Sequence, residues 1–390
     1  MKVTFVFNYM TQHQYPFAQA MYELFGDDFL FLETEDFEEE RKNMGWDTDY
    51  SKLSYVRKYV SPDDDKVVVD SDIVMFGGVH FLYIRQRLEA GKMSFRCMER
   101  LYKKGRIHAL APKGYIRKLK EYTKYNNTPC YLLCCGAYVP ADFDMFGGHK
   151  NKRLKWGYFT SLNNKDWYEL RDLKSRQGEP VRILWTGRML DWKHVLDGVK
   201  AFKTLIKHKK NVHMTVVGNG DEHALLASYI KENGLKDHVT MMDFMPASEV
   251  RQLMEQSDIY LMTSDYNEGW GAVVNEAMDS GCAVIASVGA GSAYYLIEDK
   301  KNGRIYKPGD IKSLAAIMEE LTDDIYLRQS LGQQAHKTIS EVWSPNEAAA
   351  RFKRIIDQVA GNGYDAILPE YTNGPLSKAE TILPGKKIIK

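Results

Sequence analysis

The second half of this 390-residue chain alternates short apolar segments with longer amphipathic ones, and this alternation constrains the fold more than any other feature. Runs of Val, Ile, Leu and Met predict strands, and segments with helical spacing of apolar residues predict helices. Strand–helix alternation at this spacing implies a parallel sheet with helices on both faces. The predicted strands are 182–186, 212–217, 239–242, 258–262 and 283–286, and the predicted helices are 195–208, 222–233, 248–256 and 271–279.

The first half repeats this pattern less regularly, and a chain of this length suits two domains. We predict an N-terminal α/β domain over residues 1–175 and a C-terminal one over residues 176–345. A capped helix start at Ser344-Pro345 introduces a last segment, 346–390, which we expect to pack back on the first domain. The predicted strands of the first half are 3–7, 29–32, 73–76 and 131–134, with a helix over 16–25.

Two glutamates, Glu268 and Glu276, flank the start of the predicted helix 271–279. Gly269 and Gly271 allow the backbone there to approach a ligand closely. A helix N-terminus with free N–H groups suits a diphosphate, and the two carboxylates would then reach the two ends of a nucleotide-sugar. The pair alone also fits an ordinary capped amphipathic helix.

Two further turns end predicted strands at the same edge of this sheet. Gly187 and Arg188 follow the strand 182–186, with Lys193 five residues later, and two cations there can neutralise a diphosphate. A Gly-Asn-Gly turn centred on Asn219 ends the next strand, where open α/β sheets bind ligands. These features converge on one predicted site.

In order and spacing, the motifs of residues 181–355 resemble those of glycosyltransferase family 4. The resemblance implies a GT-B fold: two Rossmann-like domains with parallel sheets that face each other across a deep cleft. It also implies a retaining, metal-independent enzyme without a cofactor, whose donor is a nucleotide-sugar, here expected to be a UDP-sugar. The motifs that carry the resemblance are Trp185-Thr186-Gly187-Arg188 with Lys193, Val217-Gly218-Asn219-Gly220, Thr263 to Gly271, Glu276 to Gly281, and Asn302-Gly303.

The resemblance also assigns roles to these residues. Arg188 and Lys193 correspond to the diphosphate-binding cations, Glu268 to the sugar-binding carboxylate, and Glu276 to the ribose-binding one. Arg188, Lys193 and Glu268 are therefore the predicted catalytic residues. The predicted donor-binding residues are Gly187, Asn219, Gly269, Trp270, Gly271 and Glu276.

The first half resembles a subgroup from bacterial surface-polysaccharide clusters, but it departs from the wider family. The loop 8–14 lacks a glycine pair, and no histidine follows the strand 131–134. His13 and His80 are substitutes by position, and each is equally well an ordinary polar histidine. Backbone amides of residues 289–293 offer a further phosphate cradle. The segments that carry this likeness are 12–17, Glu38-Glu39-Glu40-Arg41, 131–138 and 155–159.

Residues 81–125 carry 13 Lys or Arg but only 3 acidic residues, interleaved with aromatic and aliphatic side chains. Such a mixture suits an anionic membrane surface or a lipid-linked acceptor. The alternative to such a binding surface is a set of ordinary helices whose basic faces are solvated. No nucleic-acid motif accompanies the charge, so nucleic acid is not an expected partner. The predicted membrane or acceptor surface contains Arg85, Arg87, Arg96, Arg100, Lys103, Lys104 and Arg106.

The five cysteines form no C-x-x-C pair, so we predict buried free thiols and no metal site. The apolar segment at the start of the chain is too short and too strand-like for a signal peptide. No apolar run approaches the ~20 residues of a membrane helix. We therefore expect a cytoplasmic protein, with peripheral contact to the inner face of the cell membrane.

The expected reaction is transfer of a sugar from the donor to a glycan or lipid-linked acceptor in cell-surface polysaccharide or glycoconjugate synthesis. One alternative is a GT-B sugar-nucleotide epimerase, which would consume donor without acceptor. Another is an inactive GT-B scaffold subunit, for which the altered loop 8–14 and the missing histidine would account.

Overall fold

The computed structural model describes residues 1–36, 48–209, 211–363 and 370–385. The chain divides into two compact units. The first contains Met1–Thr160 and Val342–Lys390, and the second contains Ser161–Glu341. Each unit is built on one parallel sheet with flanking helices, which confirms the predicted α/β class.

The sheet of the first unit has seven strands in the order β3-β2-β1-β4-β5-β6-β7. The strands at residues 3–7, 73–77 and 130–135 are mostly apolar and buried on both faces, as expected for a parallel sheet covered by helices. The strands are β1 (Val3–Phe7), β2 (Phe29–Glu33), β3 (Val56–Lys58), β4 (Ile73–Gly77), β5 (Ser94–Met98), β6 (Cys130–Cys135) and β7 (Arg153–Trp156).

Helices connect these strands, and Pro16 lies in the first turn of the first helix, where its missing N–H is tolerated. The helices are α1 (Tyr15–Phe25), α2 (Asp63–Asp70), α3 (Leu82–Glu89), α4 (Pro112–Glu121) and α5 (Val139–Asp144). Short 3-10 segments are Gly26–Asp28, Tyr50–Lys52, Arg106–Leu110 and Thr123–Tyr125.

The sheet of the second unit has six strands in the order β10-β9-β8-β11-β12-β13. The strand order reverses between β8 and β11, and ligands of open α/β sheets bind at such a switch point. The strands are β8 (Val181–Thr186), β9 (Val212–Val217), β10 (Val239–Met242), β11 (Ile259–Met262), β12 (Ala283–Ser287) and β13 (Arg304–Tyr306). The helices are α6 (Trp167–Leu173), α7 (Val195–Leu205), α8 (His223–Glu232), α9 (Ala247–Gln256), α10 (Val273–Asp279), α11 (Ala293–Leu296), α12 (Ile311–Asp323) and α13 (Ile325–Lys337), with a 3-10 turn over Asp191–Lys193.

The boundary between the units lies at residue 160, earlier than the predicted 175. The polar segment after residue 160 is anchored to the second unit rather than serving as a free linker. The Asn163 amide donates to Asp279 at 2.6 Å, and the buried Lys174 ammonium donates to the carbonyls of Met254 and Ser257. These long-range contacts carry no local sequence signal.

The chain returns to the first unit through a π-helical turn, Thr338–Val342, and helix α14 (Pro345–Asn362). The Ser344 side chain caps α14 by accepting from the Glu347 amide at 3.1 Å. Phe352 of α14 meets Phe5 with ring centroids 6.2 Å apart and Phe95 at 4.9 Å. The end of the chain thus supplies part of the first unit's core.

Three strands of the first unit, β3, β5 and β7, are absent from the sequence prediction. Each is short or has a cation among its residues, such as Arg96 in the middle of β5, so its hydropathy does not mark it. The predicted motif Glu38-Glu39-Glu40-Arg41 lies outside the described residues, as do 364–369 and 386–390 of the predicted tail.

Candidate active site

Three loops follow β8, β11 and β12, which lie side by side and run parallel, so the loops share one edge of the second sheet. Three hydrogen bonds tie the first two loops, with the end of β8, together. Thr263 Oγ1 accepts a hydrogen bond from Trp185 Nε1 at 2.9 Å and donates one to the Lys193 carbonyl. The Asp265 amide donates to the Trp192 carbonyl at 2.9 Å. The two loops are therefore held against each other.

Lys193 Nζ and Glu268 Oε2 form an ion pair across these loops. Their side chains are only 18% and 13% exposed. Ser264 Oγ donates to the same carboxylate oxygen at 2.9 Å. Water screens the attraction in a largely buried ion pair less than in an exposed one. This ion pair therefore holds both side chains in place at the sheet edge.

Arg188 lies two residues beyond the end of β8 and is exposed. In the part of the chain that the structure describes, its guanidinium makes no ion pair. Its charge is therefore available to an anionic ligand, whereas the charge of Lys193 is already balanced by Glu268.

Glu276 lies on α10, where burial raises the pKa of its carboxyl and the positive charge of Arg251 opposes that shift. Among the described residues, the carboxylate has no hydrogen-bond or ion-pair partner. Glu276 interacts electrostatically with Tyr260, whose hydroxyl lies 3.0 Å from that of Thr186 at the end of β8. A carboxylate near this edge without a protein donor can accept hydrogen bonds from ligand hydroxyls.

Gly187 and the glycine turn after β9 pack backbone against backbone. A Cβ atom on Gly218, whose φ is +128°, would lie 2.0 Å from the Gly187 carbonyl oxygen. The Asn219 carbonyl accepts from the Met189 amide at 2.8 Å, and the Asn219 side chain donates to Asp243 at 2.7 Å. The turn therefore supports the loop after β8, and the Asn219 side chain is engaged within the protein.

The segment between Glu268 and α10 differs from the prediction in two respects. Trp270 is only 1% exposed, and its indole N–H donates to Asn275 at 2.7 Å, so its side chain anchors the loop instead of facing a ligand. The helix predicted from Gly271 begins at Val273, because the φ of +83° at Gly271 is incompatible with an α-helix. A helix of seven residues remains.

The loop after β12, residues 289–293, does not offer the predicted free amides. Gly291 and Ser292 donate to the carbonyls of Gly269 and Trp270, each at 3.0 Å. The other three amides donate to acceptors in the same turn. The prediction of a phosphate cradle here is wrong, because the loop uses these amides to hold the neighbouring segment in place.

His194 is a neighbour of the site that sequence reasoning missed. It adopts a left-handed conformation, with φ 50° and ψ 38°. Its ring nitrogens lie 3.4 Å from Asp265 and 3.5 Å from Asp197. This backbone turn directs Lys193 toward Glu268. A histidine with positive φ has no sequence signature that would have revealed it.

Residues 169–338 match the family described as "Glycosyl transferases group 1", and the match includes Arg188, Lys193, Glu268 and Glu276. This segment is a glycosyl transferases group 1 domain. The resemblance predicted from the motifs is thereby confirmed.

Curated relatives align with only part of this chain. The amylovoran biosynthesis glycosyltransferase AmsK of Erwinia amylovora is 30% identical over 155 residues, 38% of this chain and 38% of that protein. The alpha-D-kanosaminyltransferase of Streptomyces kanamyceticus is 26% identical over 193 residues, 50% of this chain and 47% of that protein. The chain thus spans less than half the length of these relatives.

Solved structures extend the likeness in fold beyond the group 1 domain. The lipopolysaccharide outer core galactosyltransferase WaaB, in its apo form, has a TM-score of 0.67 at 15% identity over 92% of this chain and 99% of that one. Anabaena Alr3699/HepE in complex with UDP has a TM-score of 0.66 at 16% identity, over 90% and 99%. Glycosyltransferases of the GT-B class thus share both units of this fold.

The two histidines predicted outside the group 1 domain have separate surroundings. The His13 ring stacks on Tyr158 with centroids 5.8 Å apart, and the Tyr158 hydroxyl donates to Glu99 at 2.7 Å. His80 is exposed and follows β4, and its Nδ1 accepts from the Leu82 amide at 3.3 Å at the start of α3. No observation assigns either ring to a transferred sugar.

As a membrane surface, the predicted set of cations is wrong for three of its seven residues. Arg87, Arg96 and Arg100 are 0%, 3% and 7% exposed, so they cannot face a membrane. Arg87 is satisfied by buried backbone carbonyls, and Arg100 lies 3.5 Å from Asp142. The other four are partly or fully exposed: Lys103 and Arg85 pair with Glu99 and Glu89, Arg106 donates to the Ala141 carbonyl, and Lys104 is exposed.

Three of the six exposed cations of this region lie on α4, which buries none of its side chains. Lys113, Arg117 and Lys120 are exposed, and they adjoin the exposed apolar residues Ile107 (75%) and Ile116 (52%). We call these five residues the α4 surface. It combines cationic and aliphatic side chains in the way that the predicted surface was expected to do.

Two further observations concern ligands and membranes. No group of three or more His, Cys, Asp or Glu side chains able to hold a metal ion occurs within residues 1–36, 48–209, 211–363 and 370–385. No helix in these same ranges has both the length and the apolar character needed to span a bilayer.

Proposed function

We propose that this chain is a retaining glycosyltransferase that moves a sugar from a nucleoside-diphosphate donor to a hydroxyl group of a glycan or lipid-linked acceptor. One observation carries the proposal. The second sheet carries at one edge the ion pair of Lys193 with Glu268, together with Arg188 and Glu276, neither of which has an ion-pair partner among the described residues. This set of charges matches the parts of a nucleotide-sugar.

Arg188 and Lys193 would bind the diphosphate and stabilise the charge that develops as it leaves. Glu268 would then exchange part of its contact with Lys193 for a hydroxyl of the donor sugar. Glu276 would accept hydrogen bonds from the ribose hydroxyls. The partly desolvated setting of these groups strengthens each of these interactions.

The proposed chemistry needs no nucleophilic side chain. The acceptor oxygen forms its bond to the anomeric carbon on the face from which the diphosphate departs. The acceptor proton passes to the departing diphosphate oxygen, which acts as the base. Two protein cations supply the charge neutralisation that a metal gives in other enzymes, so we propose that transfer needs neither a metal nor a cofactor.

The relatives support a role in the synthesis of a bacterial surface polysaccharide or glycoconjugate with a UDP-sugar donor. The name of AmsK describes amylovoran biosynthesis, and the structure of Anabaena Alr3699/HepE contains UDP. We propose a UDP-sugar for this chain on the same basis.

We further propose that the protein works at the cytoplasmic face of the cell membrane, through the α4 surface. Lysine and arginine side chains attract anionic lipid head groups, and adjoining aliphatic side chains can enter the head-group layer. Such contact would bring a lipid-linked acceptor to the enzyme.

Calorimetric titration of the full chain with UDP-, GDP- and ADP-sugars tests the proposal. We expect UDP or a UDP-sugar to bind and the Arg188→Ala variant to bind at least ten-fold more weakly, while the exposed Arg171→Ala variant is unchanged. Donor consumed without an acceptor and converted to another sugar nucleotide would indicate an epimerase. Absence of binding to every nucleotide-sugar would indicate an inactive scaffold. Loss of transfer in EDTA, with recovery on adding a divalent cation, would contradict metal independence.

A further inference from the structure

A cavity of about 280 Å³ opens in the first unit at the carboxyl ends of β4 and β5. These strands are hydrogen-bonded neighbours, and Gly77 at the end of β4 lies opposite Cys97 in β5. The side chains of Phe76, Ile84 and Met98 give the cavity apolar walls. It is therefore a small hollow at the edge of the sheet where parallel α/β folds bind ligands.

Arg96 lines this cavity and is only 3% exposed. Its Nη1 donates to the Glu121 carbonyl at 2.7 Å, and its guanidinium carbon lies 4.1 Å from the centre of the Tyr122 ring. Its Nε atom is buried without a hydrogen-bond partner. No carboxylate pairs with the guanidinium among the described residues. A buried cation in this condition is unusual, because the interior normally balances such charges.

Arg87, on the helix α3 that connects β4 to β5, is a buried arginine whose hydrogen bonds are satisfied. It is fully buried, and its three guanidinium nitrogens donate to carbonyls, including those of Val68, Ser71, Asp72 and Met93. The fold can therefore satisfy a buried arginine completely in this unit. Arg96 is not satisfied in this way, although it lies in the same unit.

One edge of the Arg96 guanidinium is formed by Nε and Nη2. Nη1 is occupied by the Glu121 carbonyl, and the Tyr122 hydroxyl is a further polar neighbour of the guanidinium, whereas Nε has no hydrogen-bond partner in the described residues. This edge presents two parallel N–H groups, which fit the two oxygens of a carboxylate or phosphoryl group. A neutral ligand would leave the charge unbalanced.

The rim of the cavity adds positive charge. Arg117 lines it with a side chain that is 68% exposed and lies 3.9 Å from the Glu121 carboxylate. His80 also lines it, and the ring nitrogen that accepts from the Leu82 amide leaves the other nitrogen to carry a proton. Two arginines and one glutamate leave the cavity with a net positive charge.

The neighbouring His149 does not offset Arg96. Burial, together with the positive charges of Arg96 and other cations, lowers the pKa of His149 to about 3. Its ring is therefore neutral at physiological pH, and it is buried with Nε2 unpartnered. In the described part of the chain, no carboxylate is paired with the Arg96 guanidinium.

We infer that this cavity, the Arg96 cavity, binds an oxyanion: a phosphoryl or carboxylate group that the Nε–Nη2 edge of Arg96 holds and that Arg117 approaches from the rim. Its apolar walls receive the part of the ligand next to that group. The assignment of this oxyanion to the acceptor substrate rests on the proposed function, whereas binding of an oxyanion does not. The acceptor would then be an anionic glycan or a sugar phosphate.

Calorimetric titration of the full-length protein, with no donor present, tests the inference. The probes are inorganic phosphate, glucose 1-phosphate and glucuronate, with glucose as the uncharged reference. We expect at least one oxyanion to bind, glucose not to bind, and affinity to fall at least ten-fold in Arg96→Gln and about three-fold in Arg117→Gln. Comparison of the three probes shows whether the free ion, the sugar phosphate or the sugar carboxylate is preferred.

The matched control is Arg85→Gln, which removes an exposed arginine of α3 that does not line the cavity. It should leave affinity unchanged. If thermal melting shows that Arg96→Gln does not fold, Arg96→Lys and Ile84→Phe decide the question. The first keeps the charge without the two-pronged edge, and the second fills the cavity, so both should bind oxyanions at least ten-fold more weakly.

Unchanged affinity in the folded Arg96 and Ile84 variants would overturn the inference, as would a lack of binding by all three oxyanions. Arg188→Ala separates this result from the donor site. Oxyanion binding that survives Arg188→Ala but not the Arg96 substitutions supports the cavity, even if UDP fails to bind and the proposed function falls. Binding lost only in Arg188→Ala would place the anion in the second unit and overturn the inference.

Discussion

Lys193 and Glu268 form a largely buried ion pair, although 75 residues separate them along the chain. The pair joins the loop after β8 to the loop after β11. In the proposed reaction, one partner binds the diphosphate and the other the donor sugar. The ion pair therefore keeps these two groups in place, and we expect donor binding to exchange part of that contact.

Substitution of Lys193 should affect both stability and activity, whereas substitution of Arg188 should affect activity alone. Lys193→Ala removes the cation that pairs with the largely buried Glu268 carboxylate, so we expect a loss of about 1–3 kcal/mol in the free energy of unfolding. Arg188→Ala removes an exposed, unpaired side chain and should change stability by less than about 0.5 kcal/mol. Both should reduce transfer by about 10²–10³-fold.

Urea unfolding and initial rates of transfer measure these effects. The double variant Lys193→Ala/Glu268→Gln should recover part of the lost stability without recovering activity, because it removes the unpaired charge. Near-normal turnover in either single variant would contradict the proposed roles.

Glu276→Gln should separate stability from ligand binding. Because burial raises the pKa of Glu276, the folded state holds more protons than the unfolded state between the two pKa values. Stability therefore falls as pH rises through that interval. The Gln variant should lack this slope and be at least as stable as the parent at pH ~7, while UDP binds about ten-fold more weakly because an acceptor of ribose hydroxyls is lost.

Urea unfolding from pH ~4 to pH ~8 and titration with UDP check both parts of this prediction. Glu232→Gln, at an exposed position of α8, serves as the matched control and should change neither quantity. Equal pH slopes for the Glu276 variant and the parent would contradict the assigned burial effect.

Gly218→Ala should be strongly destabilising, because the new Cβ would lie 2.0 Å from the Gly187 carbonyl oxygen at a φ of +128°. We expect a loss of more than about 3 kcal/mol. Gly178→Ala is the control: its φ is +89°, but no atom lies within 4 Å of the added Cβ. It should lose only about 1 kcal/mol from backbone strain. Similar losses in the two variants, measured by urea unfolding, would show that the backbone contact is unimportant.

His336 should make the stability of the protein depend on pH near neutrality. The hydrogen bond to the Asp279 side chain raises the pKa of His336 above its usual 6.5, although burial opposes the shift. The stabilisation that protonated His336 contributes is therefore complete below pH ~6.5. It is lost as pH rises through the higher pKa that His336 has in the folded state. His336→Gln should remove this dependence, and the exposed His208→Gln should retain it. Unfolding curves from pH 5 to pH 9, in steps of about one unit, measure the slope.

The α4 surface should bind anionic vesicles. Lys113→Gln/Lys120→Gln removes two exposed cations, each worth about 1 kcal/mol near an anionic surface, so affinity should fall about 30-fold. Lys231→Gln/Lys236→Gln makes the same change in net charge at exposed positions of the second unit. Sedimentation with phosphatidylserine and with phosphatidylcholine vesicles compares the two. Equal losses in both double variants would point to net charge rather than to this surface.

The sequence predicted the second unit more completely than the first. Its strands are mostly apolar, and glycine turns mark several of their ends, so local periodicity alone identified β8 to β12. In the first unit, β5 carries Arg96 among its residues and escaped this reasoning. The boundary near residue 160 also escaped it, because the contacts that anchor the following segment reach residues more than 80 positions away.

The positions of the chemical groups followed from the sequence, but their surroundings did not. Spacing and turn chemistry identified Arg188, Lys193, Glu268 and Glu276 as members of one sheet edge. Only the tertiary structure decided that Lys193 pairs with Glu268 while the other two lack partners. The burial of Trp270 and the hydrogen bonds made by the amides of the loop after β12 were also visible only in the tertiary structure. Both depend on contacts between segments that the local sequence does not bring together.

The basic stretch, residues 81–125, shows most clearly which properties the sequence determines and which the tertiary structure decides. Residue type and local composition determined that residues 81–125 are cationic, because charge is a property of each side chain. Which cations face solvent was decided by the fold, because burial depends on the carbonyls and rings that distant segments supply. Those segments satisfy Arg87 fully and Arg96 only in part, and they leave Lys113 and Lys120 in water.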